Sequence, residues 1–310
     1  MCTAVKFNDR FLFRTFDYER KFGEKLLILP RESIELLESK NRYAIMGIGV
    51  NDVDSTLFFD GVNEWGLCAA ALNFTQYAHY DGEGKTQIPS SKLISFILGF
   101  CRSVSEAREM LEKVGISGEI TAGGIPPSPL HWIVSDMRES IVIEPLESGL
   151  CVRDNPAEIL TNSPPLDYHL TRLADFSHLS AQNPDGSEHY SRGVGAYGLP
   201  GDFTSSSRFV RAAFLKQNGV VSSETSRAVT DIFGLTSSLC LPEGCVKNDK
   251  GESVKTEYAA IIDMESPAYY LTTPACRTVR YALLKSEMFD AQEIAEKEIY
   301  LTDREKFASL

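Results

Sequence analysis

The sequence predicts a layered α+β protein, on the strength of three features. Strand-like segments dominate both ends of the 310-residue chain. Helical segments are fewer and grouped in pairs between them, and strands do not alternate singly with helices as a parallel βαβ repeat requires. At the N-terminus "AVKF" and "RFLFRTFD" flank a short Asn8-Asp9 turn, the pattern of a hairpin. "RYAIMGIGV", "STLFFDGVNEWGLCAAALNF", "LHWIVSD" and "SIVIEPLESGLCVRD" continue the strand pattern, and "VKTEYAAIIDME", "PAYYLTT" and "RTVRYALL" predict a closing antiparallel meander. "SSKLISFILGF" is apolar at helical spacing, and "SVSEAREMLEKVG" opens on a Ser103 to Glu106 capping box and is expected to stop at Gly115. A second helix pair is predicted in "SSSRFVRAAFLKQNG", ended by Asn218-Gly219, and in "SSETSRAVTDIFGL". No linker, internal repeat or low-complexity tract divides the chain, so a single domain over 1–310 is expected.

Composition bounds the function. Hydrophobic residues make up 43% and charged residues 24%, ordinary values for a packed globular chain. A formal net charge of -12 without any basic block argues against nucleic acid, because phosphate binding needs clustered Lys and Arg. An anionic membrane surface is disfavoured on the same ground, whereas a small anionic substrate needs only one or two local arginines. The start of the chain lacks the basic stretch, apolar run and cleavage site of a secretory signal. The longest apolar run, Leu93 to Cys101, is about half the length of a membrane span. A cytoplasmic protein is therefore expected. The seven cysteines, at positions 2, 68, 101, 151, 240, 245 and 276, form no CxxC pair, and the five histidines show no HxxxH or HExxH spacing. Neither a disulfide framework nor structural zinc is expected.

Cys2 follows the initiator methionine in "MCTAVKF". Methionine aminopeptidase accepts small second residues, so removal of Met1 would leave a thiol and a free amine on one residue. An α-amine titrates near ~7.7–8.0 and a free thiol near ~8.5, so a proton can pass between them at neutral pH without a histidine. A cysteine at a frayed terminus is the plain alternative. Arg14 and Asp17, in "FRTFD", lie on the next hairpin strand and would fold back against the terminus. A thiolate is stabilised by a neighbouring cation and an ammonium by a carboxylate. Equally, an Arg and an Asp three apart decorate many solvated strands.

Two further stretches are unusual for surface loops. "ILTNSPP" runs an apolar strand end into Thr161-Asn162-Ser163-Pro164 and presents an amide side chain there. "GLPGDFTSSSRFVRAAF" leads into a serine-capped helix with Arg208 in its first turn, where it opposes the macrodipole and needs a partner, either a carboxylate of a site or a structural salt bridge. Other likenesses fail. "GEGKT" lacks the first glycine of a phosphate-binding loop, since His79 stands there; "SSSR" offers no lysine for an SxxK acylase; and the Asn73 sequon "NFT" has no secretory route. A papain-like Cys101/His131 pair has no supporting flanks.

Taken together, "MCT", the Arg-x-x-Asp of "RTFD", "NEWGLCAAALNF", "LHWIVSD", "ILTNSPP", "SRGVGAYGLPGD" and "SSSRFVRAAF" closely resemble the choloylglycine hydrolase family of N-terminal-nucleophile amidohydrolases, from Met1 to about Tyr281. The resemblance implies a four-layer αββα fold with two stacked antiparallel sheets between helix layers, and a catalytic site free of metal and organic cofactor. It implies Cys2 as nucleophile and, once freed, as amine base. Asp17 would orient that amine, Arg14 would stand beside the thiol, Asn162 and the Asn73 backbone N–H would form the oxyanion hole, and Arg208 would brace the polar network. Asparagine at position 73 resembles the bile salt hydrolases, where penicillin V acylases tend to carry tyrosine. Glycine- or taurine-conjugated bile salts are the expected substrates, small amphipathic amides that need an apolar wall. Phe16, Phe59 and the "CAAAL" strand are candidates for it, or else ordinary core. Penicillin V or another N-acyl amide such as an acyl-homoserine lactone is the alternative substrate, and a non-catalytic bile-acid-binding protein the alternative function. The family implies a homo-oligomer, tetramer or dimer. The short first hairpin, Thr15 where asparagine commonly follows the arginine, and a shortened stretch before "SRG" are departures; the first two bear on substrate choice and the last on assembly.

Overall fold

The N-terminal hairpin forms as the sequence predicts. Strands β1 (Cys2–Phe7) and β2 (Phe11–Tyr18) are joined through Asn8 and Asp9, both at positive φ (49° and 52°), with the Arg10 N–H donating to Phe7 O at 3.0 Å. Positive φ at both central residues is the type I′ geometry that matches strand twist. The computed structural model describes residues 1–52, 55–80, 85–118, 127–185 and 193–300. Part of "GEGKT" (82–84) and the Ser191-Arg192 of "SRG" lie outside the described residues.

The chain continues through β3 (Lys25–Leu29), the short pair β4 (Glu35–Leu36) and β5 (Ser39–Lys40), then β6 (Ile45–Asp52), β7 (Ser55–Asn63), β8 (Cys68–Asn73) and β9 (Thr86–Pro89). Helices α1 (Leu93–Phe100) and α2 (Val104–Leu111) precede β10 (Val114–Ser117), β11 (Leu130–Ser135), β12 (Ser140–Leu146), β13 (Gly149–Asp154) and β14 (Ile159–Leu160). After α3 (Leu166–Ala174), α4 (Ser205–Asn218) and α5 (Thr225–Thr236) come β15 (Val246–Lys247), β16 (Ser253–Asp263), β17 (Ala268–Thr273), β18 (Cys276–Leu283) and β19 (Ala295–Glu298). One sheet runs β14-β1-β2-β16-β17-β18, with β15 paired to β16; the other runs β13-β12-β11-β8-β7-β6-β3-β19. Neighbouring strands within both sheets pair antiparallel.

Period-2 alternation places the layers. In β11, Ile133 packs into the core between the sheets, while Trp132 and Val134 pack with α1 and α2; in β12, Val142 faces the first core and Ile141 and Ile143 the second. The first sheet is covered on its outer side by α4 and α5, whose Phe209, Ala212, Val229 and Ile232 share a core with Val5 and Phe13. Both sheets are thus buried on both faces and the layer order is helix, sheet, sheet, helix. At α2 two details differ from expectation. Helix α2 ends at Leu111, and Gly115 lies in β10, which pairs parallel with β9. The Ser103 cap does accept the Glu106 N–H, but the Glu106 carboxylate returns to the Arg102 N–H. In "NEWG", the Asn63 side chain accepts from Trp65 and Leu67 N–H and donates to Leu98 and Cys101 carbonyls, so this turn anchors α1. Gly66 (φ +82°) passes so close to the end of β16 that a Cβ would lie 2.1 Å from Met264 O.

Candidate active site

Hairpin register sorts the site's side chains onto two faces. Cys2 lies opposite Phe16, Thr3 opposite Thr15 and Ala4 opposite Arg14. Cys2, Arg14 and Phe16 therefore project between the sheets, and Thr3, Thr15 and Asp17 project toward the α4 layer. Arg14 Nη2 stands 3.5 Å from Cys2 Sγ and 3.3 Å from Ala71 O. Its Nη1 donates to Asp60 Oδ2 and to Tyr258 Oη (2.6 Å). The Asp60 carboxylate also accepts from Tyr258 (2.6 Å) and Tyr269 (2.7 Å). Burial opposes the Arg14 charge, yet Tyr258, Asp60 and Cys2 outweigh it and raise its pKa. Burial pushes both tyrosines well above their ordinary range, so they remain hydroxyl donors.

On the opposite face Asp17 is fully buried. Its Oδ2 accepts from Thr15 Oγ1 (2.9 Å) and its Oδ1 from Thr256 Oγ1 (2.5 Å). Burial raises the Asp17 pKa, while the N-terminal amine, Arg208 and the two hydroxyls pull against it. With Met1 in place, its amine donates to Asp17 O (2.6 Å), the Asp17 N–H donates to Met1 O (3.0 Å), and the Cys2 nitrogen is a peptide N–H.

Asn162 follows β14 and flanks the terminus from the side away from β2. Its Oδ1 accepts from the Cys2 N–H (2.9 Å) and Arg208 Nη2 (2.6 Å), which fixes the amide orientation and turns Nδ2 toward Asn73 O (2.9 Å). The Phe74 N–H donates to Pro129 O and the Leu130 N–H to Tyr80 Oη, so Asn73 and Leu130 are a non-hydrogen-bonded pair of the β8–β11 ladder and the Asn73 N–H faces away from β11. Arg208, expected to need a counter-charge at its helix N-terminus, instead spends its donors on neutral oxygens: Cys2 O (2.6 Å), Thr3 Oγ1 (2.5 Å), Asn162 Oδ1 and Phe203 O (3.1 Å). Burial lowers its pKa, and Asp17 and Cys2 act against that. Behind Asn162, Ser205 Oγ accepts its N–H (2.9 Å) and donates to its carbonyl (2.8 Å), His169 Nε2 also reaches that carbonyl (2.9 Å), and His131 Nε2 reaches Thr161 O (3.1 Å).

All six polar residues singled out from sequence thus converge. Phe16 and Phe59 stack at 4.9 Å between centroids, and Tyr258, Tyr18 and Phe22 extend the aromatic group from Phe16 at 5.1, 5.9 and 6.1 Å. The "CAAAL" strand is mostly core: Cys68, Ala69, Ala70 and Leu72 are buried. The Cys101/His131 pair does not form, for Cys101 Sγ faces Met110 Sδ (3.7 Å) and His131 faces Thr161 O and Glu144. Asp60, Tyr258, Tyr269, Thr256, Ser205 and His169 were not foreseen. Asp60 carried a signal, a lone carboxylate inside the apolar run "STLFFDGV", because a buried charge requires a partner. Among the described residues no cluster of three or more His, Cys, Asp or Glu is arranged to hold a metal, and no helix is long and apolar enough to cross a membrane.

A bile salt hydrolase/transferase of Lactiplantibacillus plantarum is 36% identical over 311 residues, covering 95% of each chain. Another, from Clostridium perfringens, is 32% identical with the same coverage. Among solved structures, a conjugated bile acid hydrolase from Clostridium perfringens matches with a TM-score of 0.88 at 31% identity over 97% of both chains. The penicillin V acylase from Agrobacterium tumefaciens matches with a TM-score of 0.74 over 96% of this chain and 90% of its own, and at 22% identity it is a likeness of fold alone. The profile of the linear amide C–N hydrolases matches residues 2–297, and the chain belongs to their choloylglycine hydrolase family.

Proposed function

We propose that this protein hydrolyses the amide bond of glycine- or taurine-conjugated bile salts, with Cys2 as nucleophile. The observation that carries the reading is the set around one residue: Arg14 Nη2 lies 3.5 Å from Cys2 Sγ, and the Cys2 N–H donates to the Asn162 amide, whose Nδ2 donates to Asn73 O. Removal of Met1 frees the Cys2 amine, which takes the thiol proton. The thiolate attacks the amide carbonyl carbon, and the carbonyl oxygen becomes an oxyanion held by the Asn73 N–H and the second Nδ2 proton of Asn162. The amine returns its proton to the leaving nitrogen as the C–N bond breaks, and glycine or taurine departs. Water then attacks the acyl-thioester, the amine acting again as base, and the bile acid is released with the thiol restored. Arg208 holds the Asn162 carbonyl oxygen so that its nitrogen faces the reacting atom, and Asp17 holds the amine.

The aromatic group of Phe16, Phe59 and Tyr18, stacked on one another through Phe16, with Phe22 edge-on, is the apolar wall for the steroid. We read the chain as one domain that acts in the cytoplasm as a homo-oligomer. The test is release of glycine or taurine, detected with ninhydrin, from four conjugated bile salts beside penicillin V. Faster turnover of the bile salts is expected. Faster cleavage of penicillin V would assign the acylase activity instead, and tight binding of a conjugate without release of amine would make the protein a binder.

A further inference from the structure

The strand that closes the site carries a device on both faces of the first sheet. In β16, Thr256 lies opposite Asp17 and Tyr258 opposite Phe16, and the register shifts between them by one residue, Glu257. Residues two apart in a regular strand share a face. The bulge breaks that rule. Thr256 thereby reaches Asp17 on the α4 side, while Tyr258 reaches Arg14 and Asp60 between the sheets.

The hydroxyls on Asp17 have a fixed polarity. Thr15 Oγ1 accepts the Thr3 N–H at 3.1 Å, and Thr256 Oγ1 accepts the Leu241 N–H at 2.8 Å. A backbone N–H can only donate, so each hydroxyl has a lone pair occupied and its single proton turned to the carboxylate. Each Asp17 oxygen thus receives one oriented donor, from Thr15 at 2.9 Å and Thr256 at 2.5 Å. The charged and titratable groups that also face Asp17 are the N-terminal amine and Arg208, with the Cys240 thiol beyond α5 acting on it electrostatically.

We propose that Thr15 and Thr256 are positioning residues that hold Asp17 as an oriented carboxylate against the nitrogen of residue 2, and that the β16 bulge exists to deliver one of them. The inference rests on the roles proposed above for Cys2 and Asp17. It predicts that the acid limit of turnover is set by this pair of hydroxyls. Protons bind the carboxylate more readily when either donor is lost, and the amine then loses its counter-charge.

The test is a 13C-carboxyl NMR titration of the Met1-free protein, with Asp17→Asn identifying the resonance. Thr15→Val and Thr256→Val are each expected to move the Asp17 titration upward by about one to two pH units, the worth of one hydrogen bond to a charged group. Thr15→Ser is expected to restore it. The acid limb of kcat/KM should move by the same amount with KM unchanged, a result that a purely structural role would not give. An unmoved Asp17 titration in the folded valine variants would overturn the proposal. If a valine variant fails to fold, Thr15→Cys and Thr256→Cys fill the same space with weak donors, and an unmoved titration there has the same force. The titration uses no substrate, so its failure is distinct from a failure to cleave conjugated bile salts.

Discussion

Arg14 and Asp60 form a fully buried ion pair, contributed by different sheets, whose carboxylate is capped by the hydroxyls of Tyr258 and Tyr269. The pair ties the guanidinium beside Cys2 Sγ to the second sheet, so the position of the sulfur's cation depends on how the two sheets stack. Removing one partner strands the other charge in the core. Asp60→Asn is expected to cost about 3–5 kcal/mol of stability and to reduce turnover sharply. Tyr269→Phe removes one hydroxyl from the carboxylate and leaves the ion pair, at a cost of about 1–3 kcal/mol. Urea midpoints and kcat on the same preparations check both. Equal losses for the two variants would show that the ion pair carries no special weight.

Asn162 is held at both ends of its amide, with Oδ1 facing Arg208 and Cys2 N–H and Nδ2 facing Asn73 O. Asn162→Ala removes the side-chain donor proposed for the oxyanion. A fall in kcat of roughly 10²–10³ is expected, with KM little changed, because that donor acts on charge formed only in the transition state. Steady-state kinetics on a conjugated bile salt decides it, and a change confined to KM would move Asn162 from transition-state stabilisation to substrate binding.

What the sequence made legible was local. Cys2, Arg14 and Asp17 could be paired because a short hairpin connection sets their register, and Asn162 and Arg208 because a strand end and a capped helix start leave visible marks. The aromatic group was half legible: Phe16 and Phe59 stand out in their strands, whereas Tyr18 and Phe22 join them only through ring contacts that the sequence does not mark. The Thr256 and Tyr258 contributions were hidden for a further reason. A bulge inverts the face of every residue beyond it, and "VKTEYAAIIDME" contains no glycine or proline to mark one. Helix α3 was missed because Leu166 follows Pro164-Pro165, which reads as an exit loop although its second proline stands at the helix N-cap.

The thiols separate by environment. Burial pushes Cys101 and Cys240 up to about 12, and Cys68 and Cys276 are buried, so these react slowly. Cys245 is exposed and is expected to alkylate early, without consequence for turnover. Loss of activity with iodoacetamide should instead track modification of Cys2, in a chain whose intact mass lacks Met1. Peptide mapping against residual activity gives the correlation, with Cys245→Ala removing the background. Full-length mass in active enzyme, or inactivation that follows Cys245, would defeat the assignment of the nucleophile.

His169 links the site to pH through stability. It is buried, stacks on Phe209 at 5.0 Å and reaches the Asn162 carbonyl through Nε2. Burial lowers its pKa from the ordinary value of 6.5, the Asn162 carbonyl and Glu144 act to raise it, and His131 and Arg208 lower it further. Nε2 is then the protonated nitrogen of a neutral ring and Nδ1 a bare acceptor, in keeping with its lack of a hydrogen-bond partner. The sign follows. The unfolded chain binds the proton as pH falls through its ordinary histidine range, while the folded chain resists, so the stabilisation is full above that range and is lost as pH drops through it. The slope from this one group is at most about 1.4 kcal/mol per pH unit. His169→Gln keeps an N–H donor and cannot titrate. Urea melts from pH about 7.5 to about 5 should show wild type losing more stability than the variant over that interval, since only its histidine is protonated on unfolding. Parallel pH dependences would mean that the imidazole is already charged in the folded protein, and that the Asn162 carbonyl is held by a cation.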